Sequence, residues 1–338
     1  MPQPRAREGD FLQTSDGLLF DVKGLLHPPD RIVAYLRYYP DGRGRRSRNG
    51  IRYVKVYDLA RRRLLLEKKW PCYLYHDKIE GRELQGVPKD SILAVHAPQQ
   101  RMAALLRSKQ KDRLEGSATR LVKALAKESG LPIGHFGVSG SLLVGLHRDR
   151  SDLDVMVYGF ECAKRVQRAL CSLLEEDRTF QAYRRSDLRK LFIRRHLQQA
   201  MAFRDFELQE RRKSFQGIFE GHDYFIRCVK NWKEITERYG EARFRHIGEY
   251  EVSGQVVDDN ENLLTPCRYV LERVRVLKGD PSRSPIEIVS FRGRFTEQAY
   301  QGELVLARGR LEAVRTKDQK YFRLVVGEGL ADVLQTIW

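Results

Sequence analysis

Asp152 and Asp154 flank Leu153 and are followed by Val155 and Val157. In an extended segment, side chains two apart leave on the same face. Both carboxylates therefore project together while the apolar residues enter a core. Carboxylates at the margin of a buried strand are costly unless they are paired or hold a metal ion. Upstream lies Gly140-Ser141, separated from Asp152 by residues 142–151. Backbone N–H groups at a glycine turn opening a helix cradle phosphate, and the Ser141 hydroxyl adds a donor. The pattern points to phosphate and metal chemistry.

The elements around these residues must hold them in place. Ala118, Leu121, Val122, Leu125 and Ala126 share one helical face, with Ser117 as the expected N-cap, Gly130 as the stop and Pro132 beyond it. Residues 133–138 read as a strand that delivers Gly140-Ser141, and 152–158 as the strand carrying the aspartates. Gly159 turns the chain into an amphipathic helix through Ala163, Val166, Ala169, Leu170, Leu173 and Leu174. Residues 184–213 are very basic. A solvated helix face accounts for most of those arginines, while one or two reach a triphosphate or a nucleic-acid backbone. Residues 214–220 and 223–229 read as a hairpin, and 231–239 as a short helix.

Both flanks are β-rich. Residues 31–39 form a β-branched and aromatic run, Asn49-Gly50 offers a tight hairpin turn, and 51–57 alternate. Between these strands lie Arg43, Arg45, Arg46 and Arg48, with Arg52 and Lys55 just beyond and Tyr38, Tyr39 and Tyr53 nearby. This loop is either a phosphate-tracking ribbon or a solvated, mobile edge. From about residue 248, five strand-like runs (250–257, 269–277, 286–295, 303–314 and 321–326) suit a small barrel of the oligonucleotide-binding kind, an ordinary β-domain being the alternative. Gly254, Gly293 and Gly309 lie inside runs, where bulges or bends are expected. Residues 330–338 read as a terminal helix. The fold class is α+β in three domains: 1–100, 101–245 and 246–338.

The chain has 338 residues, 62 Lys plus Arg against 45 Asp plus Glu, and a formal charge of +17. That excess favours an anionic partner such as nucleic acid or nucleotide phosphate. Ion-pair-rich thermal adaptation explains many charges but not the imbalance. The first ten residues are polar, so no signal peptide is expected, and no apolar run is long enough for a membrane span. Cys72, Cys162, Cys171, Cys228 and Cys267 are scattered without a Cys-x-x-Cys pair, which favours reduced thiols and a cytoplasmic location.

Gly140-Ser141 followed by Ser151-Asp152-Leu153-Asp154, with Gly145 between, resembles the signature of the DNA polymerase β-like nucleotidyltransferase superfamily. The whole-chain pattern looks like an uncharacterised archaeal-type group of that superfamily. The resemblance implies a mixed-sheet core with flanking helices and two Mg²⁺ ions, Mn²⁺ being an alternative, held by Asp152, Asp154 and a third carboxylate from a later strand. Asp223 is the first choice for that role and Glu220 the reserve. It further implies transfer of a nucleoside monophosphate from an NTP or dNTP, ATP among them, to a hydroxyl. The acceptor expected is a nucleic-acid 3′ end, RNA ahead of DNA, with a protein hydroxyl less favoured. Many members carry a cation just after Gly-Ser. Here Leu142, Leu143 and Val144 stand there, so the expected triphosphate partners are His147, Arg148 and Arg150 nearby. A non-catalytic nucleic-acid-binding protein on a degenerate transferase scaffold is the alternative.

Overall fold

The β-branched run of the N-terminal region forms the longest strand of its sheet. In a computed structural model that describes residues 4–337, it is β3 (Arg31–Pro40), following β1 (Phe11–Thr14) and β2 (Leu19–Val22). β4 (Arg46–Arg48) and β5 (Ile51–Lys55) follow as a hairpin. Its turn is Asn49-Gly50, with φ of 50° and 78°, the left-handed backbone that this dipeptide supplies cheaply. Helix α1 (Leu59–Lys69) comes next, capped by the Asp58 side chain on the Arg61 N–H. β6 (Leu74–Asp77), β7 (Arg82–Pro88) and β8 (Ile92–His96) complete an eight-stranded sheet. In β3 the even positions from Ile32 to Tyr38 are buried while odd positions such as Tyr35 and Arg37 stay partly open. The strand thus presents a core face and a polar face.

The central region begins with α2 (Pro98–Arg107) and α3 (Arg113–Ser129). α3 starts earlier than Ser117. Asp112 caps it, and Glu115 returns a bond to the Asp112 N–H. This capping box outweighs the helix penalty of Gly116, so the apolar face extends back to Leu114. Gly130 ends the helix at φ 61° as expected. β9 (Phe136–Val138) is preceded by a 3-10 turn and leads into α4 (Gly140–Leu143), which is a single turn. β10 (Leu153–Tyr158), α5 (Phe160–Glu176), β11 (Phe180–Gln181), α6 (Arg185–Arg194), α7 (Phe203–Glu210), β12 (Gln216–Phe219) and β13 (His222–Val229) follow. The five strands run in the order β11-β12-β13-β10-β9, with β10 and β13 parallel. Leu153, Val155, Val157, Tyr224, Ile226 and Cys228 meet α3 and α5 in one core. The residues expected to form a helix at 231–239 make turns instead. Glu234 is engaged in local caps there, accepting from the N–H groups of Phe160 and Asn231.

The last region contains β14 (Arg243–Asp258), β15 (Cys267–Lys278), β16 (Glu287–Ser290), β17 (Leu304–Arg315), β18 (Lys320–Val325) and β19 (Val333–Thr336). The order is β14-β15-β16-β18-β17, and β14 also pairs with β17, so five strands close on themselves. All of these pairs are antiparallel except β16 with β18. The ladder shifts register between Ser253 and Gln255, around Gly254. At Gly309 a Cβ would lie 2.3 Å from the Val325 carbonyl oxygen, so only glycine lets the strands approach there. The expected terminal helix is instead β19, paired with β17; Trp338 lies outside the described residues, as do Met1–Gln3. Val333 of this strand joins the apolar cluster of α6 and α7, and Gln209 of α7 accepts from the Thr336 N–H. Tertiary pairing therefore overrides local helix preference. The protein is mixed α+β, with three sheets and seven helices among the described residues.

Candidate functional site

β10 places Asp154 beside Phe225 of β13, so Asp152 falls opposite Asp223 across the parallel pair. All three carboxyl groups stand on the sheet face away from α3 and α5, because the alternating Leu153, Val155, Tyr224 and Ile226 fill the core behind them. Asp154 is half-buried, and burial followed by the charge of Asp152 raises its pKa. Asp152 is exposed just before β10. Crowding by the surrounding protein raises its pKa, and the Asp223 charge adds to the effect. Asp223 forms an ion pair with Arg194 of α6, Oδ2 to Nη1 at 3.7 Å.

Gly140 closes against this group. Its φ is 60°, and a Cβ there would sit 1.9 Å from Asp154 Oδ2. The Ser139 N–H donates to the Asp154 carbonyl at 2.8 Å, and Ser139 Oγ donates to the Gly9 carbonyl at 2.7 Å. Gly140, buried Ser141 and Asp154 thus converge as the sequence suggests. A single helical turn has little macrodipole of its own, so any phosphate affinity here rests on local N–H groups and nearby cations.

Two of those cations come from the N-terminal sheet: Lys55, which the sequence places on the basic ribbon, and Arg37, which it does not single out. Arg227 of β13 is the strongest cation on Asp154 and Arg194 of α6 on Asp152; Lys55 of β5 and Arg37 of β3 act on both, each lowering the carboxyl pKa against the effect of burial. The polar face of the N-terminal sheet lies against the aspartate-bearing face. Leu143, Val144 and Leu146 pack with Phe11, Leu19, Tyr38 and Tyr53 in one interdomain cluster. Leu143 and Val144 of the apolar stretch after Gly-Ser therefore dock the N-terminal sheet that carries Arg37 and Lys55. Arg46 of the basic hairpin donates to the Leu146 carbonyl, which seats that hairpin on the loop after α4. Tyr57, 65% exposed, stands 4.5 Å from the Lys55 ammonium at the rim.

The loop residues expected to hold phosphate behave differently. Arg148 and Arg150 lie exposed on the turn before β10. His147 Nε2 lies 2.6 Å from Asp112 Oδ2. Asp112, Glu115 and His147 are grouped within 4.8 Å, a spacing that the Asp152–Asp154–Asp223 trio does not reach among the described residues. The carboxylates of that tighter group are engaged as the α3 capping box, and Glu115 also pairs with Arg101 at 2.6 Å. Glu220 is drawn to the other side of the sheet by Arg120 and Ser117, at 2.6 and 2.7 Å. It is a structural anchor of α3.

Asp152, Asp154 and Asp223 offer oxygen donors alone, the ligand type that hard divalent cations take, but their carboxylates stand wider apart than the ligand atoms of the Asp112–Glu115–His147 group. No family model matches the chain, and no solved structure matches it. It is similar to an uncharacterized protein of Methanocaldococcus jannaschii, 29% identical over 333 residues and covering 96% of both chains. The likeness thus spans all three sheets.

No helix among the described residues is long and apolar enough to cross a membrane. Cys162, Cys228 and Cys267 are buried, and all five cysteines are unpaired.

Proposed function

We propose that the protein is a metal-dependent nucleotidyltransferase of the polymerase β-like kind. The observation that carries this reading is the single face on which Asp152, Asp154 and Asp223 meet Gly140, opposite Arg37 and Lys55. Asp152 and Asp154, with Asp223 beside them, would hold Mg²⁺ or Mn²⁺, which when bound supplies charge neutralisation and Lewis-acid polarisation of the phosphates.

The chain's own residues account for the remaining tasks. The Gly140-Ser141 turn receives the triphosphate, and Arg37 and Lys55 neutralise it from the facing sheet. Arg148 and Arg150 extend the positive rim. An acceptor hydroxyl attacks the α-phosphorus of an NTP or dNTP, the bond to the β-phosphate oxygen breaks, and pyrophosphate leaves. Asp223 accepts the hydroxyl proton and Arg194 orients Asp223. Positioning and charge dominate such a reaction.

The acceptor is a nucleic-acid 3′ end, supported by the excess of cations and by the C-terminal barrel. Its closed circuit of five strands, with one parallel pair, fits the oligonucleotide-binding type. The test is incubation with α-labelled NTPs, Mg²⁺ and RNA or DNA carrying a 3′ hydroxyl. Incorporation that disappears in Asp152→Asn and Asp154→Asn supports the assignment. Incorporation that persists in both removes it.

The openness of the aspartate trio favours a second reading, a nucleic-acid-binding protein on a degenerate transferase scaffold. Calorimetric titration with NTP separates the two: the transferase shows Mg²⁺-dependent affinity and the degenerate scaffold shows none.

A further inference from the structure

Next to Arg37, the seam between the N-terminal sheet and the barrel opens into a cleft of about 1040 Å³. Its walls come from β3, β6 and β7, from the turns after β13, and from β15, β16, β18 and the loop that precedes β18. Most of the carboxylates that line it are already engaged. Glu328 takes Arg82 at 2.7 Å, Glu287 takes Arg268 at 2.6 Å and Glu261 takes Lys230 at 2.7 Å. Asp77 accepts the Tyr239 and Tyr75 hydroxyls at 2.7 and 3.0 Å.

Two guanidiniums in the same wall have no such answer. Arg62 is 4% exposed, and its hydrogen bonds go to one carbonyl, that of Val56. Arg292 donates Nε to the Gly327 carbonyl. Neither has a carboxylate within 4.0 Å among the described residues. Burial, then repulsion from Arg37 and Arg292 among others, pulls Arg62 down to about 10. Both guanidiniums thus line the cleft without a direct carboxylate partner among the described residues, although Asp21 acts on Arg62 at longer range and Glu80 Oε2 in the same wall has no hydrogen-bond partner. The rings of Tyr35, Phe291 and Tyr321 line the same space.

The cleft also adjoins the aspartates. At Gly293, next to Arg292, a Cβ would lie 2.8 Å from the Phe225 ring, and Phe225 shares its strand face with Asp223. Arg37 acts on Arg62 on one side and on Asp154 on the other.

We propose that this cleft seats a single-stranded nucleic acid, with Arg62 and Arg292 taking its phosphates and the tyrosine and phenylalanine rings contacting its bases. A flexible strand fits a space at the upper end of the ~300–1,000 Å³ range of ligand pockets, and a rigid duplex does not. That the strand points its 3′ end at Asp154 rests on the transferase reading. Binding itself does not.

The experiment is fluorescence anisotropy on the full chain carrying Asp154→Asn, with short labelled single strands of RNA and of DNA and a blunt duplex of the same sequence. Single strands should bind at least about tenfold tighter than duplex. Arg292→Gln should weaken strand binding by about tenfold and reduce the salt slope by about one, with an unchanged melting temperature. Arg62→Gln gives the same loss where its fold is retained. Equal affinity for duplex, or unchanged affinity in Arg292→Gln, overturns the proposal. So does full competition by inorganic phosphate at the concentration of its own binding, which would make this a small-anion site only. Strand binding that depends on Arg292 without nucleotide incorporation in the wild type would retire the transferase and keep the cleft. Incorporation with an unchanged strand KM in Arg292→Gln would do the reverse.

Discussion

Gly140 and Gly145 form a matched pair for measuring how tightly the aspartate site is built. Both have left-handed backbones, φ 60° and 64°. An alanine in that conformation costs about 1–2 kcal/mol on backbone grounds alone. At Gly145 nothing lies within 4 Å of the added Cβ, so Gly145→Ala should cost that amount and no more. At Gly140 the added Cβ meets Asp154 Oδ2 at 1.9 Å and Asp154 Cγ at 2.8 Å, well inside contact distance. Overpacking of this kind adds about 1–3 kcal/mol, so Gly140→Ala should cost about 2–5 kcal/mol. Urea unfolding of both variants, compared at constant m-value, gives the difference directly. Combining Gly140→Ala with Asp154→Ala should recover about 1 kcal/mol or more as a positive coupling, because the clashing oxygens are gone. Equal destabilisation by Gly140→Ala and Gly145→Ala would refute the seating of the Asp154 carboxylate against the glycine turn.

Four further outcomes are expected. Asp154 is raised by burial and by Asp152, so the fold prefers it protonated; its contribution is intact below about pH 4 and is lost as pH rises through the elevated value. Asp154→Asn should therefore be more stable than the wild type at pH 7 in chemical denaturation, with the gain vanishing below about pH 4. Arg37→Gln and Lys55→Gln should each weaken NTP binding by about tenfold or more, the cost of one charge-assisted contact, as read by calorimetry. Glu297→Ala should destabilise by about 2–4 kcal/mol in chemical denaturation, since the Ser214 and Phe215 N–H groups and the Ser214 hydroxyl lose a buried acceptor. Glu220→Gln should change stability by less than about 1 kcal/mol, and nucleotide incorporation should persist in it, whereas Asp223→Asn should abolish incorporation.

Much of the site's own scaffold was legible in the sequence. Period-two alternation at Leu153, Val155 and Val157 gave the strand face of Asp154, and Gly130 gave the end of α3, because both are local effects. The N-terminus of α3 lies before the expected Ser117 because the Asp112–Glu115 capping box overrides the helix penalty of Gly116, and that box lies outside the apolar pattern. β19 was read as a helix because its partner β17 is far away in sequence. Lys55 stands out in the sequence only as part of the basic ribbon, and Arg37 not at all, for the same reason: their approach to Asp154 depends on a packing of two sheets. One signal did exist. Two of the three apolar residues directly after Gly-Ser, Leu143 and Val144, form a docking surface, while Leu142 joins the core under α3 and α5.

The way the sheets share one another's faces has a consequence for how the molecule folds. Glu8 is 1% exposed and depends on Arg227 of β13 and Lys23 of the N-terminal sheet for its charge balance. Met156 packs against Gly9, and Phe225 against Gly293. Each region thus completes the burial of another, and none presents a finished surface when alone. Excised pieces would expose a charged or aromatic wound, so the chain should unfold in one cooperative step rather than three. The same sharing makes strand exchange between copies expensive, because a swapped β13 would have to carry two foreign interfaces with it.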